Sequence, residues 1–430
     1  MRGFARIGIV LLACLVSLNP VLAQTDEPGQ IDEEDPFLTL LGMVPDNQGS
    51  RSSLSYINYQ AVAEVWNLPE VTLAEVAEGT NAGETWLYTI GLTARSGLDL
   101  SVLMTAMQGV PGLYPNMQII SGFTMLDVDQ SLHYGIAPRD GILLTGEFDV
   151  AAMRAALAQR DFEPNEIGGM EVWCWVEGCN LGMQPDLENE VISDLFGGNL
   201  GRHEPLVITP ELLLDSPAIA TVEDLIAAQN DELDTLADAP EYRTFAEAFM
   251  AQGTLIQLSV FSPDPTPDDY DFSPYTWDFG EDCSSRLPAQ VCENARNSID
   301  EYFGDLPPYP MIGFAHVWRE GEHFGLVALL YEDAETAAIA GQEIYNRLSN
   351  AISLSPRGYT YADMLGSEIL PPVVYKGDEF AAAIVLVRAP EAEEPEVIAQ
   401  VTASVAPYRA FMQMLMNRDL YFLGTEFILP

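Results

Sequence analysis

Two kinds of hydrophobic pattern take turns along this chain: short unbroken apolar runs, and stretches whose apolar residues recur every three or four positions. The run Gly141 to Phe148 predicts a strand. It passes into a helix capped by Asp149, with Val150, Met153 and Leu157 on one face at i, i+3, i+7. Leu206 to Ile208 and Leu212 to Leu214 predict a strand pair. Ser216 then suits an N-cap, Pro217 the first helical position, and Ile219, Val222 and Ile226 a buried face. Asp238-Ala239-Pro240-Glu241 has the spacing of a capping box, ahead of Tyr242, Phe245 and Phe249 on one face. Thr254 to Phe261 reads as the strand that follows.

The same unit returns further on. Met311 to Trp318 and Phe324 to Tyr331 flank a hairpin turn at Arg319-Glu320-Gly321-Glu322. Asp333 caps a helix in which Ala340, Ile344 and Leu348 share a face. Val373 to Tyr375 and Phe380 to Val387 form a second hairpin about Lys376-Gly377-Asp378. A helix over 394–417 leads to a last strand near Tyr421-Phe422-Leu423. Hairpins produce antiparallel pairing, so the fold class expected is α+β, with antiparallel sheets, helices packed on one face and repeated strand-strand-helix units. A chain of 430 residues exceeds what one core usually serves. Two related sandwiches are therefore expected, a first domain over 37–261 and a second over 283–430, joined by an acidic aromatic linker or loop at 262–282. The alternative is one larger unit to whose continuous sheet both halves contribute.

The first residues change the picture of where this fold forms. Arg2 and Arg6 precede an apolar stretch from Ile7 to Leu18, Asn19-Pro20 breaks it, and Val21-Leu22-Ala23 offers the small-residue pattern of a cleavage site. This predicts a signal peptide over 1–23, cut before Gln24, and an acidic flexible leader over 24–36. A rival reading makes Leu11-Leu12-Ala13-Cys14 a lipobox with Cys14 lipid-anchored. No later segment holds the roughly 18 consecutive apolar residues of a transmembrane helix. The expected location is secreted or extracytoplasmic, in the cell envelope.

Charge excludes two classes of partner. The formal net charge of −47 falls to −49 once the two arginines of the leader are removed. Nucleic acid and anionic membranes both call for clustered Lys and Arg, and neither is an expected partner. The basic residues are 17 Arg and a single Lys, Lys376. Such an acidic, Lys-poor surface suits high salt, and lineage bias accounts for it equally well.

Four cysteines follow the leader in two close pairs, Cys174 with Cys179 and Cys283 with Cys292. Four cysteines allow three connectivities, and local spacing favours these two disulfides. Neither zinc spacing nor a C-x-x-C redox motif is present.

Ser216-Pro217, Leu236-Ala237-Asp238-Ala239-Pro240-Glu241-Tyr242-Arg243 and Leu329-Leu330-Tyr331-Glu332-Asp333-Ala334-Glu335 together resemble a domain-of-unknown-function family of exported bacterial proteins. The likeness covers about a third of the chain, in caps and core faces, and the cysteine-bearing segments depart from it. It implies the same fold class and export, and no activity.

Chemical motifs are sparse. There is no G-x-S-x-G elbow, P-loop, G-x-G-x-x-G or H-E-x-x-H. Only four histidines occur, His133, His203, His316 and His323. A hairpin turning at Glu320-Gly321 sets Trp318 opposite His323 and Val317 opposite Phe324, so His316, Trp318 and His323 share a sheet face. A metal there needs a third ligand from elsewhere. Asp264 to Asp282 interleaves carboxylates with Tyr270, Phe272, Tyr275, Trp277 and Phe279, a composition suited to Ca²⁺, to a binding patch, or to a solvated linker. No other cofactor is expected. With 65 acids, a pair at glycosidase separation arises by chance in any fold, so count alone carries no signal. The functional expectation is an exported, non-catalytic binding or scaffold protein of unknown ligand. The alternative is a secreted hydrolase using Asp/Glu acid–base chemistry.

Overall fold

The computed structural model describes residues 35–96, 113–136, 139–182, 184, 201–262, 289–353, 359–392, 394, 396–417 and 419–424. The strands are β1 (Ser53–Asn58), β2 (Val128–Tyr134), β3 (Gly141–Gly146), β4 (Phe162–Ile167), β5 (Met170–Trp175), β6 (Leu206–Ile208), β7 (Leu212–Asp215), β8 (Thr254–Phe261), β9 (Ile312–Arg319), β10 (Glu322–Tyr331), β11 (Val373–Lys376) and β12 (Ala381–Arg388). In the first half lie helices α1 (Pro36–Leu41), α2 (Tyr59–Val65), α3 (Leu73–Glu78), α4 (Asn81–Ser96), α5 (Leu113–Ser121), α6 (Val150–Ala158), α7 (Ile219–Gln229) and α8 (Pro240–Met250). In the second lie α9 (Ala289–Tyr302), α10 (Ala334–Asn350), α11 (Tyr361–Leu365), α12 (Val397–Ser404) and α13 (Ala406–Met416).

The protein is α+β, and its strands form one antiparallel sheet of twelve in the order β11-β12-β10-β9-β8-β1-β2-β3-β7-β6-β5-β4. A single sheet thus stands in place of the two expected sandwiches. The join is β8, which pairs with β1 along one edge (Leu54↔Val260, Tyr56↔Leu258) and with β9 along the other (Leu258↔Ala315, Val260↔Gly313). The repeated unit is real as connectivity. From β1 the chain runs to the hairpin β2–β3, to α6, then to the hairpin β4–β5 further out. From β8 it runs to β9–β10, to α10, then to β11–β12.

Helices cover both faces of the sheet rather than one. Leu54, Tyr56, Leu258, Val260, Leu326 and Ile384 pack on one side with Phe37 of α1, Val222 of α7 and Phe245 and Phe249 of α8. On the other side are two clusters. Ile57, Leu144 and Ile256 meet α4, α5 and α6 in one. Phe314, Leu329 and Val385 meet α10, α11 and α13 in the other. Burial on both faces is why β8, β10 and β12 carry near-continuous apolar runs instead of alternating ones. Between the two clusters the sheet face turns polar: Gln257, Ser259 and His316 are all buried there. Gln257 Nε2 donates to Thr93 O at 2.6 Å, and Ser259 Oγ lies 3.0 Å from Tyr408 Oη.

Several element ends differ from the sequence expectation for local reasons. Helix α7 starts at Ile219, because Ser216 Oγ donates to Asp140 O at 2.7 Å and accepts from Ala218 N instead of capping a helix. Asp238 turns back to accept from Thr235 N and Oγ1, which leaves α8 to begin at Pro240 without a side-chain cap. The helix expected over 394–417 breaks at Val405, where Pro407 in the first turn of α13 has no N–H to continue α12. Residues Tyr421–Leu423 form a 3₁₀ turn, not a strand. Of the leader expected over 24–36, Asp35 and Pro36 instead cap and begin α1, and the rest lies outside the described residues. Cys174 and Cys179 are bonded. Cys292 is also in a disulfide, while its expected partner Cys283 and nearly all of 262–282 lie outside the described residues. Among the described residues no helix is long and apolar enough to cross a membrane.

One buried cation ties the second half together. Arg347 of α10 has no exposed surface. Its Nε donates to Glu343 Oε1 at 2.6 Å, Nη1 to Gly424 O at 2.8 Å and to Phe422 O at 3.2 Å, and Nη2 to Gly304 O at 2.5 Å. Its guanidinium also lies 4.5 Å from the Phe303 ring centre. Arg347→Met keeps the volume but strands one carboxylate and three carbonyls. It is expected to cost about 3–5 kcal/mol in urea unfolding, with Arg347→Lys recovering less than half.

Candidate histidine and tryptophan cleft

The site is built by a turn, a helix end and a strand extension. Glu320 (φ 55°) and Gly321 (φ 90°) supply the two left-handed residues of a two-residue hairpin turn. That turn sets the register expected from sequence, with His323 opposite Trp318 and Phe324 opposite Val317. His316 lies opposite Gly325, and a side chain at Gly325 would run into Pro407 and Tyr408 at 2.7–2.8 Å. The start of α13 therefore roofs this part of the sheet, and His316 has no exposure.

Helix α2 follows directly from β1, its first turn capped by Asn58, which accepts from Ala61 N at 2.8 Å. It ends where Asn67 turns left-handed (φ 47°) and Leu68 N donates to Ala63 O at 2.8 Å. This end carries Trp66 over the hairpin. Trp66 stacks on His323 with ring centres 4.9 Å apart and planes 18° off parallel, and its ring centre is 6.0 Å from that of His316. Beyond β12 the chain continues alongside β10, with Ala389 N donating to His323 O at 2.8 Å. Together these surround an open cleft of about 540 Å³. Its walls include Trp66, Trp318 and His323, with Asn67, Glu391 and Gln400 around them.

At the back of the cleft His316 Nε2 and His323 Nδ1 are 3.0 Å apart, a hydrogen bond between two imidazoles. Burial, reinforced by His323, holds His316 well below the usual histidine range. Burial alone brings His323 down to about 4. At neutral pH both rings are uncharged, so one proton lies between them. A site of this kind can accept or donate hydrogen bonds and stack against a flat apolar surface.

The remaining expected sites fall elsewhere. No group of three or more His, Cys, Asp or Glu side chains placed to hold a metal occurs among the described residues, so the hairpin histidines gain no third ligand there. The acidic aromatic segment proposed for Ca²⁺ lies outside the described residues. His133 Nε2 sits 3.4 Å from Asp140 Oδ2, and His203 stacks on Trp175 at 4.1 Å, both away from the cleft. Asp129, whose carboxyl is raised by burial and by Glu147, does not line the cleft either. Sequence reading brought His316, Trp318 and His323 to one face. It missed Trp66, Asn67 and Gln400, which reach the site only through the long-range fold. A tryptophan closing a short helix was the one local sign of them.

No protein-family model matches this chain, and no curated protein matches it. Among solved structures it is similar to crystal form I of TP0453, with a TM-score of 0.33 and 11% identity over 85% of this chain and 96% of that one. Crystal form III of TP0453 gives a TM-score of 0.32 and 9% identity over 85% and 97%. Likeness at this level carries no argument about function.

The histidine pair makes stability depend on pH in a definite direction. Above about pH 6.5 both rings are neutral folded or unfolded. Below it the unfolded chain binds protons that the folded pair refuses, so stability is lost as pH falls from about 6.5 toward about 4. The charged groups at the cleft mouth are Glu322, Glu391 and Arg388. Val65, Trp66 and Asn67 of the α2 end and Gln400 and Ser404 of α12 bring none. Urea unfolding at pH 7 and pH 4.5 is expected to show a loss of at least ~2–3 kcal/mol more in the natural protein than in His316→Gln/His323→Gln, since His323 alone supplies that much and His316 adds to it. Equal losses would show that the pair is not held neutral.

Proposed function

We propose that this is an exported, non-catalytic binding protein whose ligand enters the cleft between Trp66, Trp318 and His323. The leader at 1–23 and the bonded pair Cys174–Cys179 support an extracytoplasmic setting. The cleft itself carries the binding role: an open concavity of about 540 Å³ that sets two tryptophans and a neutral imidazole beside amide and carboxylate side chains. Concave sites with aromatic walls and a few convergent polar groups are where small molecules bind. A small neutral molecule suits it better than a macromolecule, given its size. The strong net negative charge of the chain works against polyanions.

A ligand-observed NMR screen of a neutral fragment library against residues 24–430 tests this reading. Saturable binders are expected, weakened tenfold or more by Trp318→Ala and abolished by Ala389→Phe, which fills the cleft. Both variants should retain the natural unfolding midpoint within a few degrees. Fragments that bind Ala389→Phe as well as the natural protein would place binding elsewhere and sink the proposal.

A further inference from the structure

The 3.0 Å contact between His316 Nε2 and His323 Nδ1 admits one proton and two arrangements. In the first, His316 donates from Nε2 and His323 accepts at Nδ1. His316 Nδ1 is then a bare lone pair, and His323 carries its own proton on Nε2. In the second, His323 donates from Nδ1 and His316 accepts. Its proton then sits on Nδ1, an atom fully enclosed and without a hydrogen-bond partner in the structure.

Two independent considerations choose between them. A buried N–H with no acceptor is among the rarest defects of folded proteins, and rarer than an under-used acceptor. The first arrangement also puts both rings in the Nε2–H form that an isolated neutral imidazole side chain prefers, whereas the second puts both in the disfavoured form. Stacking against Trp66, 18° from parallel, fixes the plane of the His323 ring and so the direction of its Nε2–H bond. Unlike His316, His323 has no fully enclosed, unpartnered ring nitrogen, and it lines the cleft.

We propose that His316 is a positioning residue that locks His323 as a fixed, neutral hydrogen-bond donor into the cleft, which therefore selects uncharged ligands offering an oxygen acceptor. The ligand half of this rests on the binding role proposed above, and the tautomer half stands without it. In this arrangement neither nitrogen of His323 has a free lone pair. Nδ1 is engaged by His316 and Nε2 bears hydrogen, so the pair does not ligate a transition metal as it stands. Hydroxyl and amide carbonyl oxygens are both suitable acceptors. A primary ammonium only donates, so it makes no hydrogen bond to the Nε2–H of His323.

With only four histidines in the chain, selective imidazole ¹⁵N labelling gives a readable spectrum, assigned by single substitutions. At pH 7, long-range ¹H–¹⁵N correlation is expected to show the Nε2–H pattern for both His316 and His323, unmoved by equimolar Ni²⁺. His316→Gln keeps an N–H donor near His323 Nδ1 and should preserve the pattern of His323. His316→Leu removes the donor and should leave His323 averaging between tautomers. An Nδ1–H or imidazolium pattern for His323 in the natural protein overturns the proposal, as does a specific Ni²⁺ shift at both rings. Identical His323 spectra in the Gln and Leu variants would remove the positioning role. For the ligand half, three fragment classes are compared: polyhydroxylated, amide carbonyl and primary ammonium. His323→Phe is expected to weaken at least one of the first two classes about tenfold, the worth of one hydrogen bond, and to leave the affinity of the ammonium class unchanged. The weakened class identifies the acceptor. Loss in neither class, with the tautomer pattern intact, would refute the recognition role while leaving the lock in place.

Discussion

Everything distinctive in this molecule follows from the antiparallel pairing of β1 with β8, from Ser53↔Phe261 to Ile57↔Gln257. Each of these strands leads its own run of hairpin, helix and hairpin. Had they not paired, each run would have formed a separate sheet with two edges of its own. Among the described residues their union makes a sheet twelve strands wide, with β4 and β11 as its edge strands. Both ends are guarded. The β4 sequence carries Glu163, Pro164 and Glu166 toward solvent, and β11 is four residues long. A sheet this wide buries its middle strands on both faces, and that burial sets the demand for helices above and below.

The same union creates the polar seam. Helices of the two halves cannot meet seamlessly over the sheet centre, and the apolar clusters there stop on either side of Gln257, Ser259 and His316. Buried polar groups are tolerated when bonded, and these are: Gln257 to the Thr93 carbonyl of α4, Ser259 to Tyr408 of α13, His316 to His323. Helices α4 and α12 pack against each other in the same region. The cleft opens at the end of the seam, where α2 comes from one half and the β9–β10 hairpin from the other. Its position is a consequence of where two covers meet, which is also where small-molecule sites commonly form.

How much of this the sequence displayed depends on the range of the interaction responsible. Features fixed within a few residues were legible. Asp149 and Asp333 cap their helices, Thr254 to Phe261 is a strand to the residue, and Glu320-Gly321 sets the hairpin register that aligns His323 with Trp318. Features decided by distant partners were misread. Ser216 has the composition of an N-cap, but the distant Asp140 O wins its side chain. Asp238 is a local exception, its carboxylate turned back to Thr235 three residues before it. Coverage of both sheet faces did leave a local sign. Ala381 to Val387 and Phe324 to Tyr331 are apolar without alternation, as strands buried on both sides must be. The length of the chain, more than one core usually serves, is what led to the expectation of two sandwiches. Trp66 showed locally only as a tryptophan closing a short helix, because its place over His323 depends on β1, β8, β9 and β10 all pairing first.

The chemistry of the cleft follows from the same geometry, and it runs against the character of the surface. A chain with 65 acids and 18 bases has a strongly negative field that draws cations toward it. In such a field an exposed imidazole is pushed toward its charged form. The histidine pair escapes because it is enclosed: Gly325 admits the start of α13, α13 roofs His316, and Trp66 covers His323. Desolvation then outweighs the surrounding negative charge, and the pair stays neutral where the surface alone would favour protonation. A neutral donor on a highly acidic protein is thus the product of packing, and it persists only while the two halves of the sheet hold Trp66 and the hairpin together.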